Sequence, residues 1–164
     1  MKPSFSVLFV CMGNICRSPT ADGVMRHLVA QHGLQEQVYV DSAGTHSYHT
    51  GSPPDPRSQA HAARRGYDLS ALRARPVEAV DFERFDLLLA MDRDNLRLLH
   101  SRCPPEFHPK LQRLTKYCRT MTSPVVPDPY YGGDAGFEEV LDLVEDACTG
   151  LLAHIQHVLH TQRV

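Results

Sequence analysis

Residues 7–20, VLFVCMGNICRSPT, constrain the fold more than any other stretch, because a strand pattern changes there into a helical one. Residues 5–10 form a short run rich in Val, Leu and Phe, which is typical of a buried strand. Apolar residues then recur at helical spacing until Gly33: Ala21, Val24, Met25, Leu28 and Val29. Such a strand, loop and helix predict a right-handed crossover to a parallel strand.

The rest of the chain repeats this alternation. Further strands are expected at residues 38–41, 86–91 and, more weakly, 110–114. Helices are expected at 57–65, after Asp92 as a plausible N-cap, and from Gly136 to Leu159. The sequence therefore predicts one α/β domain over residues 1–164, with three layers: a four-stranded parallel sheet and helices on both of its faces. A chain of 164 residues with 42% hydrophobic residues is long enough to bury such a core.

Composition excludes several functional classes. Seventeen basic and nineteen acidic residues leave a formal net charge of −2, which predicts no nucleic-acid partner. No stretch approaches the roughly 20 apolar residues that span a bilayer, and no signal peptide is recognisable, so we expect no membrane insertion and a cytoplasmic location, with leaderless secretion left open. The five cysteines match neither a disulfide framework nor a zinc pattern: Cys11, Cys16, Cys103, Cys118 and Cys148.

The loop of residues 11–17 is the leading candidate site, because ligands of such sheets bind at the carboxyl ends of strands. Gly13 and Asn14 tolerate a left-handed backbone, so successive N–H groups can converge on an anion. With Ser18 as N-cap and Pro19 as the first helical residue, the helix adds the positive end of its dipole at the same place. The sequence therefore predicts a phosphate-binding loop.

Charged and nucleophilic groups make this loop a candidate catalytic centre. Arg17 can hold a phosphate with its guanidinium fork, and the neighbouring Cys11 is expected to be a thiolate nucleophile. Ser18 can donate its hydroxyl hydrogen to that sulfur. Asp128, which lies between two prolines, is the candidate proton donor for a leaving oxygen. From spacing alone, a simple turn-capping role for Asp128 is an equal alternative.

Four motifs follow one another along the chain: CMGNICRSPTADG at 11–23, DSAGT at 41–45, Met-Asp at 91–92 and DPYYGGDAGFEEV at 128–140. Together they resemble the low-molecular-weight protein tyrosine phosphatase family. The resemblance implies flavodoxin-like winding with strand order 2-1-3-4. It also implies hydrolysis of phosphotyrosine and small aryl phosphates through a cysteinyl-phosphate intermediate, without a metal or another cofactor.

The resemblance assigns roles by motif position. Cys11 becomes the nucleophile, Arg17 a phosphate ligand, and Asp128 the general acid and then the general base. The whole loop would bind phosphate: Met12, Gly13, Asn14, Ile15, Cys16, Arg17 and Ser18. Asn14 would hold the loop through hydrogen bonds that include Ser42. One position departs from the pattern, because Leu72 stands where the family usually has a histidine in this network, and leucine cannot donate a hydrogen bond.

Substrate and partners follow from the same loops. Four residues are expected to form apolar and aromatic walls that grip a phenyl ring: Met12, Ile15, Tyr48 and Tyr130. Tyrosine-phosphorylated proteins are the implied substrates. A cognate tyrosine kinase that modifies Tyr130 or Tyr131 is left open as a partner. By resemblance, Cys16 is a candidate for a reversible disulfide with Cys11, while plain packing of Cys16 under the loop is nearly as compatible.

Three alternative functions stay open. A thioredoxin-coupled arsenate reductase shares the fold and loop but needs two further redox cysteines close together, whereas a predicted strand separates Cys103 from Cys118. A protein arginine phosphatase is the second; relatives of that kind carry threonine where this chain has Ile15. A non-catalytic phosphopeptide-binding module is the third, but it would have no use for the Cys11 thiolate or Asp128.

Overall fold

Four parallel strands form one sheet in a computed structural model that describes residues 3–130 and 132–162. They are β1 (Phe5–Cys11), β2 (Val38–Gly44), β3 (Leu87–Ala90) and β4 (Leu111–Arg113). Their order across the sheet is β2-β1-β3-β4, and each of the three neighbouring pairs is parallel. The predicted fold class and strand order are therefore confirmed. Tyr131, one of the two tyrosines considered as kinase targets, lies outside the described residues.

Helices cover both faces of the sheet. Within the described residues they are α1 (Arg17–Gln31), α2 (Pro56–Arg64), α3 (Ala79–Arg84), α4 (Arg93–Arg102) and α5 (Asp134–Thr161). Two 3-10 segments, Pro105–Lys110 and Leu114–Tyr117, flank β4. Helix α3 was not predicted, because six residues are too few to show a helical period. In the part of the chain that the structure describes, no helix combines the length and the apolar composition that a bilayer crossing requires.

Strand β1 is the centre of the core, and all seven of its residues are buried. Its side chains alternate between the two faces, as a period of two requires. Val7 and Phe9 pack in the cluster formed with α1 and α5, while Leu8 and Val10 pack in the cluster on the opposite face. Burying each of these large apolar side chains contributes roughly 1.5–3 kcal/mol. This packing fixes the position at which β1 ends, on Cys11.

The start of α1 differs from the prediction. The helix begins at Arg17 with Cys16 at the N-cap position, so Ser18 and Pro19 lie in the first turn rather than at the cap and first helical position. The reason is that the Ser18 hydroxyl lies against the Cys11 sulfur and does not cap the helix. The left-handed residue of the loop is Asn14, with φ of 58°, whereas Gly13 is not left-handed.

Asp146 on α5 holds the chain that leads towards the Asp128 segment. Its carboxylate accepts the backbone N–H groups of Arg119, Thr120 and Met121 at 2.8–3.2 Å. Burial raises the pKa of Asp146, but these three donors favour the charged form and bring the pKa below its usual range. The ionised carboxylate therefore stabilises the native position of residues 119–121.

We expect Asp146→Asn to lower the free energy of unfolding at neutral pH, and the loss to shrink as the pH falls. A carboxylate whose pKa is lower in the folded state contributes its full stability above its unfolded pKa of about 4, and loses it as pH falls through the folded value. Urea unfolding between pH 7 and pH 3 measures this. Glu139→Gln, at an exposed carboxylate on the same helix, is the control. An equal loss at every pH would contradict the prediction.

Candidate active site

The loop between β1 and α1 turns its carbonyl oxygens away from its own centre. Three of them accept backbone N–H groups of residues 45–55: Cys11 from Thr45 at 2.9 Å, Met12 from His46 at 3.0 Å and Ile15 from Asp55 at 2.8 Å. Because C=O and N–H point in opposite directions across a planar trans peptide, the following N–H groups face the interior of the loop. The first turn of α1 adds N–H groups that have no partner within the helix. The result is an anion cradle at a helix N-terminus.

Asn14 fixes the shape of this cradle. Its left-handed backbone brings its N–H group to 3.3 Å from the Cys11 sulfur. Its side-chain Oδ1 accepts the backbone N–H of Arg75 at 3.0 Å, which settles the orientation of the amide. Nδ2 then donates to the hydroxyls of Ser18 at 2.7 Å and Ser42 at 3.0 Å. The structure thus brings together the residues predicted for this network and adds Arg75.

Leu72, the position at which the family resemblance predicts a histidine, lies outside this hydrogen-bond network. Leu72 packs against the apolar cluster formed with α1 and α5. Among the described residues, no histidine hydrogen bonds to Asn14, Ser18 or Ser42. The Arg75 contribution was missed at the sequence level because it is a backbone N–H group, which every residue except proline carries. No sequence signal could have identified it.

The hydroxyl of Ser18 is directed at the sulfur of Cys11. The two atoms, Ser18 Oγ and Cys11 Sγ, lie 3.0 Å apart, and both residues are buried. Because Ser18 Oγ already accepts a hydrogen from Asn14, its own hydrogen is left to point at sulfur. A hydroxyl that donates to sulfur stabilises a thiolate, both before it attacks and after it leaves.

Arg17 is held in place from two sides. Its guanidinium is almost fully buried, and Nη1 donates to Asp92 Oδ2 at 2.7 Å and to the carbonyl of Val126 at 3.1 Å. Burial lowers the pKa of Arg17, but the negative charges of Cys11, Asp92 and Asp128 outweigh it and raise the pKa above its ordinary value. The remaining guanidinium nitrogens stay positively charged beside the cradle.

Asp92 performs two tasks, of which the sequence predicted one. Its Oδ1 accepts the N–H of Asn95 at 2.8 Å and caps α4, as expected. Its Oδ2 holds Arg17, and this contact was missed because the two residues are 75 positions apart. The Met-Asp pair of the family motif was the available signal.

Asp128 reaches the cradle although it lies 117 residues after Cys11 in the chain. Its Oδ2 is 3.8 Å from Arg17 Nη2, and its Oδ1 accepts the N–H of Tyr130 at 3.0 Å. One oxygen therefore closes a turn, as the first interpretation expects, and the other faces Arg17; the proton-donor role of Asp128 stays a prediction. Val126 fixes the position of this segment relative to the sheet, because its N–H group donates to the carbonyl oxygen of Met91, just after β3, at 2.7 Å.

A pocket of about 260 Å³ opens above Cys11. All four predicted wall residues line it, together with Asp128 and one residue that was missed, His49. Tyr48 is 79% exposed and stacks on His46, with ring centroids 5.4 Å apart. Arg57 lies over the Tyr130 ring at 5.3 Å. The mouth of the cradle is therefore a partly aromatic slot.

Cys16 is chemically unlike Cys11. It is buried at the base of the cradle, and burial raises its pKa to about 12, although a hydrogen bond from Ser58 opposes the rise. Cys16 is therefore a protonated thiol at neutral pH. Both cysteines are unpaired in this structure, so the disulfide between them stays a prediction.

Comparisons with known proteins identify similar sequences and structures. Residues 6–161 match the family model described as low molecular weight phosphotyrosine protein phosphatase. The low molecular weight protein-tyrosine-phosphatase YfkJ of Bacillus subtilis is 42% identical over 92% of this chain and 96% of its own length. A protein tyrosine phosphatase structure from Entamoeba histolytica is 44% identical, with a TM-score of 0.91 over 94% of this chain and 98% of that one. An arginine phosphatase structure from Drosophila is 35% identical, with a TM-score of 0.83 over 91% and 97% of the two chains.

Substitutions of Asn14 separate its backbone role from its side-chain role. We expect Asn14→Gly to bind inorganic phosphate more weakly than wild type, because the Nδ2 donors are lost. Asn14→Ala should be weaker still, because alanine also resists the left-handed backbone by roughly 1–2 kcal/mol. Titration calorimetry with phosphate measures both. Ser42→Ala, which removes one acceptor of the Asn14 amide and keeps Asn14 itself, is the control for the side-chain contribution. Phosphate affinity unchanged in Asn14→Ala would overturn this account of the loop.

Proposed function

The chain belongs to the low molecular weight phosphotyrosine protein phosphatase family, and we propose that it hydrolyses phosphotyrosine in proteins, and small aryl phosphates, through a phosphocysteine at Cys11. One observation carries the mechanism. The Cys11 sulfur lies in the anion cradle with the Ser18 hydroxyl 3.0 Å away, and Arg17 and Asp128 line the same pocket. A nucleophile, a phosphate site and a carboxyl group thus share one slot.

In the first step, the Cys11 thiolate attacks phosphorus and the bond from phosphorus to the aryl oxygen breaks. The cradle amides and the Arg17 guanidinium bind the phosphoryl oxygens, whose charge they stabilise in the transition state. Asp128, in its protonated form, donates a proton to the leaving aryl oxygen. General acid catalysis of this kind contributes typically about 10²–10⁴-fold.

In the second step, a water molecule attacks the phosphocysteine. Asp128, now a carboxylate, accepts a proton from that water, and the sulfur–phosphorus bond breaks to release inorganic phosphate. The departing thiolate is stabilised by the Ser18 hydroxyl and by the Asn14 N–H group, which lies 3.3 Å from sulfur. The same hydrogen bonds therefore assist attack and departure.

The pocket supports tyrosine as the substrate residue. A phenyl ring carries the phosphate away from the backbone, so it suits a slot with Tyr48 and Tyr130 at its mouth. A second candidate is phosphoarginine, since an arginine phosphatase shares this fold at 35% identity. Ile15 lines the pocket with an apolar side chain, which favours the aryl ring over a polar guanidinium.

Partners and location are part of the same proposal. Tyrosine-phosphorylated proteins are the substrates, and the Tyr130 ring, which is 39% exposed, is accessible to a tyrosine kinase. The five free cysteines support a reducing compartment such as the cytoplasm.

Two substitutions test the mechanism. Cys11→Ser should abolish turnover of p-nitrophenyl phosphate while the protein still binds phosphate, because serine keeps the cradle but not the thiolate. Asp128→Asn should slow phenyl phosphate by about 10²-fold or more, and p-nitrophenyl phosphate less, because a good leaving group needs little protonation. Steady-state rates measure both effects. Asp94→Asn, an exposed carboxylate near the site, is the control. Full activity in Cys11→Ser, or equal losses with both leaving groups in Asp128→Asn, would contradict the mechanism.

The choice of substrate residue has its own test. Wild type should cleave a phosphotyrosine peptide with a higher kcat/KM than a phosphoarginine peptide. Ile15→Thr should move this ratio towards phosphoarginine by about tenfold or more, because a hydroxyl offers the guanidinium a hydrogen bond. Ile15→Val, which has the shape of threonine without the hydroxyl, should leave the ratio near the wild-type value. Wild-type preference for phosphoarginine would make the second candidate the function.

A further inference from the structure

Asp22 is a buried carboxylate that the mechanism above does not use. It lies on α1 one turn after Ser18, and its relative exposure is 0%. Its Oδ1 is paired with Arg26, but its Oδ2 is buried without a hydrogen-bond partner among the described residues. An ionised carboxylate is costly to bury, and burial raises the pKa of Asp22, which the Arg26 pairing opposes. Such a group calls for an explanation.

Hydrogen counting at Ser42 leads from this carboxylate to the active site. Ser42 Oγ, which is also buried, accepts a hydrogen from Asn14 Nδ2 at 3.0 Å. Its own hydroxyl hydrogen must therefore point elsewhere. Val40 packs against α1 and its carbonyl accepts from Arg26, so Ser42, two residues further along β2, lies on the same strand face as Val40. The Ser42 side chain favours the charged form of Asp22. The unpartnered Asp22 Oδ2 is the acceptor that we assign to this hydroxyl.

The same counting extends the chain to sulfur. The orientation of the Asn14 amide is set by Arg75, so both Nδ2 hydrogens are donors, one to Ser42 and one to Ser18. Ser18 in turn donates to Cys11. Ser42, Asn14 and Ser18 thus form a row in which each serine accepts a hydrogen from Asn14. The serines' own hydroxyl hydrogens therefore point away from Asn14. Asp22 fixes the end that lies furthest from the nucleophile.

We propose that Asp22 is a positioning residue of this phosphatase: it accepts the Ser42 hydroxyl hydrogen, and this holds the Asn14 amide so that the Ser18 hydroxyl is free to donate to Cys11. Leu72 packs against the core and supplies no hydrogen bond to Asn14, Ser18 or Ser42, so the Ser42 hydroxyl is left for Asp22. Arg26 anchors Asp22 in turn, because it also donates to the carbonyl of Val40 on β2 at 2.8 Å. This inference rests on the proposed function, in which Cys11 is the nucleophile.

Hydrogen bonding and plain electrostatics predict opposite results for Asp22→Asn. The groups that face Asp22 are Arg26 on its own helix, Asp41 on β2 and Cys148 on α5. If Asp22 acted only as a negative charge through space, removing it would favour the Cys11 thiolate. If it acts through Ser42 and Asn14, removing it disorders the row and disfavours the thiolate. The direction of the change therefore identifies the mechanism.

The rate at which iodoacetate alkylates Cys11 reports how readily the thiolate forms. Mass spectrometry of the Cys11 peptide follows this rate from pH 4.5 to 9. In Asp22→Asn the rate at pH 5 should fall about tenfold, with a smaller change at pH 9, because the thiolate fraction of any cysteine rises with pH. Asp22→Glu, which keeps a carboxylate, should restore part of the loss. Asp86→Asn, which alters a carboxylate bonded to Ser6 near the start of β1, at the opposite end of the strand from Cys11, should leave the profile unchanged.

A double-mutant cycle covers the case in which Asp22→Asn folds poorly. Ser42→Ala is a small change with no loss of charge, and it should slow alkylation at pH 5 to a similar extent. The double variant should be no slower than Ser42→Ala alone, because the two residues act in series. An unchanged profile, a faster reaction at pH 5, or additive losses would overturn the proposal. Alkylation needs no turnover, so a wild type that fails to cleave phosphotyrosine would refute the proposed function without affecting this result.

Discussion

The buried guanidinium of Arg17 is the interaction on which the rest of the site depends. Taking such a charge out of water costs several kcal/mol unless it is paired and hydrogen bonded. Asp92 and the carbonyl of Val126 supply the pairing, and they come from the end of β3 and from the segment before Asp128. The hydrogen bonds that pair Arg17 therefore connect three distant parts of the chain: the start of α1, the residues after β3 and the segment before Asp128. Because the Val126 N–H group also donates to the Met91 carbonyl, the segment that carries Asp128 has a fixed position relative to the sheet.

The cradle is organised by the protein's own hydrogen bonds. Asn14 is held in the left-handed region by bonds to Arg75, Ser18 and Ser42, and the loop carbonyls are bonded to residues 45–55. Backbone strain of this kind persists where surrounding contacts over-determine the conformation. Gly44 shows how close these contacts are, because a Cβ there would lie 2.7 Å from the Met12 carbonyl oxygen. A loop so fixed needs little reorganisation when charge develops on a phosphoryl group.

Sequence reasoning was most successful where the information is local. The three stronger strands, the long α5 and the capping of α4 by Asp92 all follow from patterns within about 30 residues. It was least successful at the first turn of α1, where Ser18 was expected to cap the helix. Serine is a good cap in general, but here the Cys11 sulfur and Asn14 occupy its hydroxyl. Tertiary contacts overrode a local preference, and the helix begins at Arg17 as a result.

The sequence by itself determined the α/β alternation, the phosphate loop after the first strand, and the residues whose chemistry suits phosphoryl transfer: Cys11, Arg17 and Asp128. These features depend on residue type and spacing, which the chain carries locally. Only the tertiary structure decided which further groups surround the site, namely the backbone N–H of Arg75, the second oxygen of Asp92 and His49. The physical reason is that hydrogen-bond partners are chosen by three-dimensional proximity. Packing across the sheet, and not neighbourhood in the chain, sets that proximity.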